Sequence, residues 1–431
     1  MLLALAILAA SPVPPGGVPG HSDGRCRLTR SRMDRTCGDG APAFEFAPAS
    51  GAGMGTACAC ATVTGSRGES LGFNRATVGY CTKGPVNTGI AVGDMVQCAV
   101  NQPRVGAGDG SGILGLLTEG VSTNVLVRSE EVENAAWTST ATVSANAATS
   151  PANTATADQL SDVSAVAIQT SCQTLPTVSL TADAAGIFVR AGTATGATIT
   201  MTGTGNSVGD CSANVSGLSS TTWTRLQCGS VAAYTAGLTA VTVCVGVGVA
   251  AGDTGTIMVW GAQLEQVGAS VAAVMSSYIA TTTVGVVRNS DNTSLSPSLI
   301  SGIANAGSMA VTYVLQWAPG MGPGAQGAGF AAGGGASRFL YLGSAGSVRV
   351  FDGTNEIIRA QTPIQFTARR AGSQWSGSTL ISKDITGGTQ SSGAFASMNT
   401  SAFTIGVVGG IGQVYGVIKQ LCISRDPTRC V

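Results

Sequence analysis

The chain has 431 residues, of which 44% are hydrophobic and only 10% are charged. This length accommodates two or three domains, each with its own core. The 22 Lys and Arg balance the 22 Asp and Glu, so no net field attracts nucleic acid or an anionic membrane, and nucleic-acid binding is not expected.

The chain begins with an apolar run, Met1–Ala10, that is too short to span a bilayer and is followed by Ser11-Pro-Val-Pro-Pro. The pattern is similar to the hydrophobic region of a secretory signal, although no Lys or Arg precedes it. We interpret residues 1–20 as a leader. An apolar arm or a misassigned start are the alternatives. No later apolar stretch is uninterrupted over a membrane-spanning length, so we expect a soluble mature protein.

Residues 21–120 form a cysteine-rich N-terminal region. Six of the twelve cysteines lie in it: Cys26, Cys37, Cys58, Cys60, Cys81 and Cys98. An even cysteine count fits an oxidising compartment and disulfides. The Cys58-Ala-Cys60 pair also allows a metal site, but zinc sites usually add a second ligand pair or histidines. We therefore favour disulfides.

Short runs of alternating apolar residues fill the region 121–288, separated by Gly, Asn, Asp and Ser. Each run has the length of a strand, and turn residues recur at the spacing typical of a β-sandwich: Thr123–Arg128, Gly186–Arg190, Ala197–Thr202, Leu238–Val249 and Thr256–Leu264. Two cross-strand disulfides are expected among the four cysteines of this region: Cys172, Cys211, Cys228 and Cys244.

Residues that resemble catalytic motifs are better explained as structural. The only histidine is His21, so a histidine-based catalytic site is not expected. Asp253-Thr-Gly255 copies an aspartic-protease signature once, whereas that chemistry needs two carboxylates, so a hairpin turn is favoured. The acidic residues Glu130, Glu131 and Glu133 are interpreted as solvated or structural. We therefore predict a protein that is not an enzyme.

A polar stretch from Asn289 to Pro297 is interpreted as a linker, and a second series of strands follows over 298–431. Gly322–Gly327 matches a dinucleotide-binding fingerprint, but more glycine follows where a helix is required, so a loop is predicted. Cys422 and Cys430 bracket a short loop and are expected to pair. Neither an amphipathic helix nor a fixed-period repeat is evident, which predicts an all-β chain with two sandwiches.

Aromatic residues remain as candidates for ligand binding, because sugar rings stack on Trp and Tyr. Trp260 and Trp317 lie in or at the end of apolar strands and are predicted to be core. Trp223 and Trp375 have polar neighbours and are candidate ligand platforms if partly exposed, with ordinary packing as the favoured interpretation. On the second sandwich, one face is predicted to be lined by Tyr341, Arg349 and Asp352.

Several segments of the first strand series resemble known modules. Asn124–Trp137 resembles the opening strand of jelly-roll modules in phage and prophage fibre proteins, and it is similar to the start of several carbohydrate-binding modules. Three later segments resemble the middle, closing and exit segments of the same module, in that order: residues 188–194, 259–265 and 277–283, the last followed by Arg288. Upstream, residues 73–77, 101–104 and 115–120 resemble the lead-in of the phage proteins.

The second strand series resembles a concanavalin A-like, laminin-G-type sandwich at residues 339–344, 347–352 and 415–424. The final strand has Lys419 and Gln420 where that family usually carries acidic residues, so no metal site is carried over. The jelly-roll resemblance allows a structural calcium near Glu130, Glu131 and Glu133, and no other cofactor is expected.

Together the two resemblances imply a recognition protein located on a virion surface, on a cell surface or in the secreted fraction. It would be a phage fibre component or adhesin that binds a glycan or cell-envelope receptor, with other virion or surface proteins as neighbours and a homo-trimer as an expected assembly. Alternatives are a structural virion decoration protein without sugar binding, a secreted bacterial surface protein and a degenerate glycan hydrolase.

Overall fold

The computed structural model describes residues 44–46, 59–60, 72–82, 90–106, 115–176, 182–230, 232–268, 275–300, 302–315, 328–334, 337–343, 346–360, 367–408, 412–413 and 416–431. All of these belong to one compact unit, Pro42–Val431. The predicted leader, His21, Cys26, Cys37, Cys58, the Gly322–Gly327 loop and Trp317 lie outside the described residues. No described helix has both the length and the apolar character that crossing a membrane requires.

The N-terminal region contains short strands in its described parts. Their bounds are β1 (Phe44–Phe46), β2 (Ala59–Cys60), β3 (Gly72–Asn74), β4 (Gly79–Thr82), β5 (Met95–Cys98), β6 (Arg104–Gly106), β7 (Gly115–Thr118) and β8 (Ser122–Asn124). Strands β4 and β5 form a separate two-stranded antiparallel sheet. The others join larger sheets.

The first sandwich consists of two sheets. Its strands are β9 (Thr138–Ser139), β10 (Thr142–Ala148), β11 (Ala157–Asp162), β12 (Thr170–Leu175), β13 (Ala182–Ala191), β14 (Gly196–Thr204), β15 (Cys211–Ser216), β16 (Thr224–Gly229), β17 (Ala240–Val247), β18 (Gly255–Gly268) and β19 (Val286–Arg288). Sheet A has the order β10-β11-β18-β13-β16, and β8 joins it by pairing with β18 and β19. Sheet B has the order β15-β14-β17-β12-β9.

Alternation of apolar and polar residues explains how sheets A and B pack. In β14, Ala197, Ile199 and Met201 are buried, while the intervening threonines face outward. Successive side chains of a strand point to opposite faces, so the apolar set of each strand meets that of the facing sheet. One buried cluster accordingly combines residues of sheet B with residues of sheet A such as Ile187 and Val259.

The second sandwich follows from Asn292 onward. Its elements are β20 (Asn292–Ser294), α1 (Pro297–Ile300), β21 (Ala306–Leu315), β22 (Ala328–Gly333), β23 (Arg338–Leu342), β24 (Val348–Phe351), β25 (Glu356–Arg359), β26 (Ala368–Ser376), β27 (Thr379–Asp384), β28 (Thr389–Ala394), β29 (Phe403–Ile405), β30 (Val407–Val408), β31 (Gly412–Gln413) and β32 (Gly416–Ser424). Sheet C has the order β2-β6-β7-β32-β21-β26-β27-β28, with β1 beside β32. Sheet D has the order β25-β24-β23-β22-β29-β20-β3, with β30 and β31 beside β22.

Sheets C and D enclose a second buried cluster, to which both contribute large side chains, among them Tyr313, Phe339 and Trp375. The prediction of an all-β chain with two sandwiches is therefore confirmed. The described chain contains a single helix, α1, of four residues.

Two features differ from the sequence interpretation. The region interpreted as a linker contains β20, which lies between β29 and β3 in sheet D, and its Asp291 is fully buried. The strands β2, β3, β6 and β7 of the N-terminal region complete sheets C and D. These strands are short and polar, and their partners lie far away in the sequence. Nothing in the neighbouring residues identifies those partners, so the sequence did not indicate this arrangement.

Disulfides join Cys172 with Cys244, Cys211 with Cys228 and Cys422 with Cys430. These are the six cysteines that the sequence grouped in the two strand series. Cys172 and Cys244 lie directly opposite each other on β12 and β17. Cys81 and Cys98 are also disulfide-bonded.

Candidate functional site

Sheet D presents an outer face with a group of charged and aromatic side chains, which we call the arginine–aromatic face. In β24, Val348 and Val350 enter the core of the second sandwich, so Arg349 and Phe351 point outward. The neighbouring strands complete the face, whose members are Arg338, Tyr341, Arg349, Phe351 and Glu356.

Hydrogen bonds and an ion pair hold this face in one arrangement. Tyr341 and Arg349 are opposite each other on β23 and β24. The Tyr341 hydroxyl donates to the Glu356 carboxylate. The Arg349 Nη1 lies 3.5 Å from Glu356 Oε2, and its Nε donates to Ser347 Oγ at 2.8 Å. The side chains of Arg349 and Glu356 are 27% and 34% exposed, so both can contact a ligand in solution.

A second guanidinium lies over the rings of the face. The Arg338 guanidinium carbon is 5.6 Å from the Tyr341 ring centroid and 5.5 Å from that of Phe351, which is within cation–π range. It forms no ion pair with any carboxylate in the described chain. Two arginines therefore face one glutamate, and the face carries a surplus positive charge.

One glycine makes room for the exposed arginine. A Cβ at Gly343 would collide with the Nε, Cζ and Nη2 atoms of Arg349. The guanidinium thus lies close to the backbone of Gly343, and any larger residue there would displace it. A fixed planar donor is the form in which arginine recognises carboxylate, sulfate or paired hydroxyl oxygens with two parallel hydrogen bonds.

Of the three residues predicted on this sandwich, the structure brings Tyr341 and Arg349 together, but Tyr341 is only 2% exposed and supports the face from beneath. Asp352 has a different position. The Asp352 carboxylate accepts hydrogen bonds from the backbone N–H groups of Thr354, Asn355 and Ala396. Burial opposes its ionisation, yet the hydrogen bonds from Asn355 and its neighbours hold the pKa of Asp352 below its ordinary value. Asp352 therefore shapes the turn after β24.

The two tryptophans considered as ligand platforms are both fully buried, at 0% exposure. Trp375 lies in the core of the second sandwich, where its Nε1 donates to the Ile303 carbonyl at 2.6 Å. Trp223 exchanges backbone hydrogen bonds with Ile90, and the Arg190 guanidinium covers its ring at 4.9 Å. Both are therefore packed inside the protein and are not ligand platforms. The polar residues beside them in the sequence did not indicate exposure, because adjacent side chains of a strand point to opposite faces.

Trp223 belongs to a cluster on the outer face of sheet A. Phe188, Trp260 and Tyr278 lie there, and Ile90 and Met95 of the N-terminal region pack onto them. The burial predicted for Trp260 is confirmed, although this ring is covered by the N-terminal region and not by sheet B. A face rich in aromatic residues is thus enclosed by a segment that lies far upstream in the sequence.

The acidic residues after β8 are engaged in protein contacts. Glu130 accepts a hydrogen bond from the Tyr278 hydroxyl at 3.0 Å, Glu131 pairs with Arg128 at 2.9 Å, and Glu133 contacts Asp158. In the described parts of the chain, no group of three or more acidic, cysteine or histidine residues is placed to hold a metal ion. These residues therefore do not fit the calcium site that the jelly-roll resemblance allows.

The Asp253-Thr-Gly sequence lies in the turn between β17 and β18. One carboxylate oxygen of Asp253 accepts hydrogen bonds from the backbone N–H groups of Val249 and Ala250, at 2.7 and 2.9 Å. Gly255 adopts a φ of 122°, which side chains of the L configuration rarely reach. The interpretation of this sequence as a hairpin turn is confirmed.

Sequence reasoning missed Arg338, Phe351 and Glu356 as members of the arginine–aromatic face. The alternation in Val348-Arg-Val-Phe351 places Phe351 on the same side as Arg349 and was available in the sequence. The partners across the sheet were not, because the register of β23, β24 and β25 is fixed only by pairing.

No family model and no curated protein matches this sequence. Among solved structures, similarity is found to domains LG4-5 of the mouse laminin alpha1 chain, with 10% identity, a TM-score of 0.23, and coverage of 59% of this chain and 87% of that one. The tandem CBM22-1-CBM22-2 domain of Xyn10C from Paenibacillus barcinonensis gives 10% identity, a TM-score of 0.25, and coverage of 71% and 98%. The fold assignment above rests on the sheets themselves.

Proposed function

We propose that this chain is a non-catalytic recognition protein that binds acidic glycans through the arginine–aromatic face of sheet D. The observation that carries the proposal is the half-exposed Arg349–Glu356 pair next to Arg338, which has no carboxylate partner in the described chain. Such a face offers planar charged groups and the partly buried Phe351 ring to a ligand.

Each part of the face fits one feature of an acidic sugar. The guanidinium of Arg349 and the carboxylate of Glu356 can bind neighbouring hydroxyls as donor and acceptor. The partly exposed Phe351 ring offers an apolar surface to sugar C–H groups. The surplus charge of Arg338 favours a ligand with a carboxylate or sulfate, and this preference weakens as salt screens it.

The setting that we propose is a surface: a phage fibre, an adhesin or a secreted protein that contacts a glycan or cell-envelope receptor. The disulfides support an oxidising compartment, because they persist mainly outside the reducing cytosol. Assembly as a homo-trimer and association with other virion or surface proteins complete the proposal.

The test is binding of the purified chain to a sulfated oligosaccharide, heparin, and to neutral dextran, measured by calorimetry at low and high salt. We expect binding to heparin alone, weakening with salt. Arg349→Ala and Arg338→Ala should each weaken it roughly tenfold, because each removes one charge-assisted contact worth about 1.5 kcal/mol or more.

The matched control is Arg128→Ala. Arg128 forms a similar ion pair with Glu131 on the first sandwich, with side chains that are 30% and 39% exposed. Its loss should leave heparin binding unchanged. If heparin does not bind, or if all three variants weaken it equally, the glycan-binding proposal fails and the structural role, in which the sandwiches pack on neighbouring proteins, takes its place.

A further inference from the structure

Seven ionisable side chains lie buried where the N-terminal strands meet the first sandwich, and we call them the arginine cluster. None is more than 4% exposed: Arg75, Arg104, Arg225, Arg288, Glu119, Glu265 and Asp291. Taking a charge out of water costs several kcal/mol unless it is paired. Four positive charges against three negative ones leave one positive charge to account for.

Three of the guanidinium groups converge on two carboxylates. Arg75 Nη1 lies 2.9 Å from Asp291 Oδ1, and Arg104 pairs with both Asp291 and Glu119, the latter at 2.8 Å. Arg288 Nη1 is 3.3 Å from Glu119 Oε2 and 3.9 Å from Asp291 Oδ2. The guanidinium groups are close enough to repel one another, and Arg104 and Arg288 both lower the pKa of Arg75, after burial itself.

The fourth arginine and the third acid are linked through a shared serine. Arg225 Nη1 donates to the Ser276 carbonyl at 2.6 Å, and Glu265 accepts from the Ser276 N–H at 2.9 Å. Unlike the other three arginines of the cluster, Arg225 forms no ion pair in the described chain. Burial raises the pKa of Glu265.

Guanidinium nitrogens of this cluster are also left without hydrogen-bond partners. They are Arg104 Nε, Arg225 Nε, Arg288 Nε and Arg288 Nη1. Arg288 Nη1 is near Glu119 but lacks hydrogen-bond geometry. A buried donor without a partner costs about 1–3 kcal/mol, and more when it is charged. A water molecule would satisfy a donor, yet it would not compensate the surplus charge.

We propose that the arginine cluster binds a small monovalent anion, a halide such as chloride, through the unpartnered N–H groups of Arg104, Arg225 and Arg288. One negative charge balances the four arginines against the three acids. A spherical halide accepts hydrogen bonds from any direction and needs no hydroxyl or acidic donor. A divalent phosphate or sulfate would overcompensate the charge.

The direct test is a crystal structure of the full chain grown with bromide in place of chloride, because bromide scatters anomalously. We expect a peak within hydrogen-bond distance of at least two of the three arginines. Peaks on the surface alone, which mark adventitious ions, or water at the cluster would overturn the proposal.

A solution test uses thermal unfolding of the full chain in sodium chloride and in sodium gluconate at equal ionic strength. A ligand that binds the folded state raises the midpoint as its concentration exceeds Kd. We expect the midpoint to rise on the order of 2 °C for each tenfold increase in chloride at constant ionic strength. The same midpoint in both salts would overturn the proposal.

Two variants separate anion binding from general salt effects. Arg288→Gln removes the surplus charge, so the dependence on chloride should disappear. Arg359→Gln changes a half-buried arginine of sheet D that bonds to Thr389, and it should retain the wild-type dependence. If Arg288→Gln does not fold, the bromide structure of the wild type still decides the question.

Discussion

Asp158 and Glu133 place two carboxyl groups against each other at the edge of the first sandwich. The Asp158 carboxylate also accepts hydrogen bonds from the backbone N–H groups of Val132 and Asn146, at 2.7 and 2.9 Å. Burial, followed by the hydrogen bond with Glu133, raises the pKa of Asp158 to about 7. The Asp158 carboxyl holds its proton more tightly than an exposed one, because its charged form would be buried and would face a second carboxyl.

The stability of the protein should therefore depend on pH in a defined direction. In the folded state Asp158 keeps its proton up to about pH 7, while in the unfolded chain it loses the proton near pH 3.9. The free energy of unfolding should fall as the pH rises between these values, because the folded state binds more protons. Replacing Glu133 with Gln removes the second carboxyl and should flatten this decline, as measured by urea unfolding at a series of pH values.

Other buried acids also affect the free energy of unfolding in this pH range, in the wild type and in the Glu133 variant alike. The informative quantity is therefore the difference between the two pH profiles. Glu131→Gln is the control, since Glu131 is half exposed and pairs with Arg128. Its pH profile should follow that of the wild type. An unchanged slope in the Glu133 variant would show that Glu133 does not raise the pKa of Asp158.

The disulfides that join strands close loops of different length. Cys172–Cys244 joins β12 to β17 across a sequence separation of 72, whereas Cys422–Cys430 joins β32 to the residues after it across a separation of 8. A disulfide stabilises mainly by restricting the unfolded chain, and the restriction increases with loop length. The two bonds should therefore contribute unequally to stability.

Replacing both members of each pair with Ala tests this expectation. Loss of Cys172–Cys244 should lower the free energy of unfolding by about 4 kcal/mol, and loss of Cys422–Cys430 by about 2.5 kcal/mol. Denaturant unfolding of both variants under oxidising conditions provides the comparison. Equal losses, or a larger loss for the shorter loop, would mean that packing around the cysteines outweighs the loop entropy.

Strand alternation explains how much of each element the sequence predicts. The pattern in β14 and β24 was sufficient to assign one apolar and one polar face, because side chains in a strand alternate strictly. What covers each face depends on segments far away in sequence. Trp223 shows this limit, since Ile90 buries it, and no residue near Trp223 indicates that contact.

At the level of the whole molecule, the second sandwich is assembled from two separated parts of the chain. The strands β2, β6 and β7 continue sheet C beyond β32, and β3 continues sheet D beyond β20. The first sandwich is thus inserted between strands that pair with one another. Domain boundaries placed where the composition changes assign these strands to different domains. Such boundaries follow the order of the chain, whereas strands far apart in the chain can pair.

The inserted arrangement also explains where the arginine cluster lies. Arg75, Arg104 and Glu119 come from the N-terminal region, whereas Arg288 and Asp291 follow the first sandwich. The ion pairs therefore join the two places where the chain leaves and re-enters the second sandwich. Breaking a buried pair by removing one partner costs about 3–5 kcal/mol, so both connections depend on the same charges.

Deletion of residues 1–119 should consequently prevent the second sandwich from folding, although its longest strands remain. The deletion removes β7 from the side of β32 and β3 from the side of β20, which exposes unpaired strand edges that favour aggregation. It also leaves Arg288 and Asp291 without Glu119, Arg75 and Arg104. We expect an aggregated product or one without cooperative unfolding, measured by size-exclusion chromatography and thermal melting.

Deletion of residues 1–43, which removes no described strand, is the matched control and should leave a cooperatively folded protein. A product of the longer deletion that is not aggregated and melts cooperatively would show that the second sandwich folds from β20 onward without the N-terminal strands.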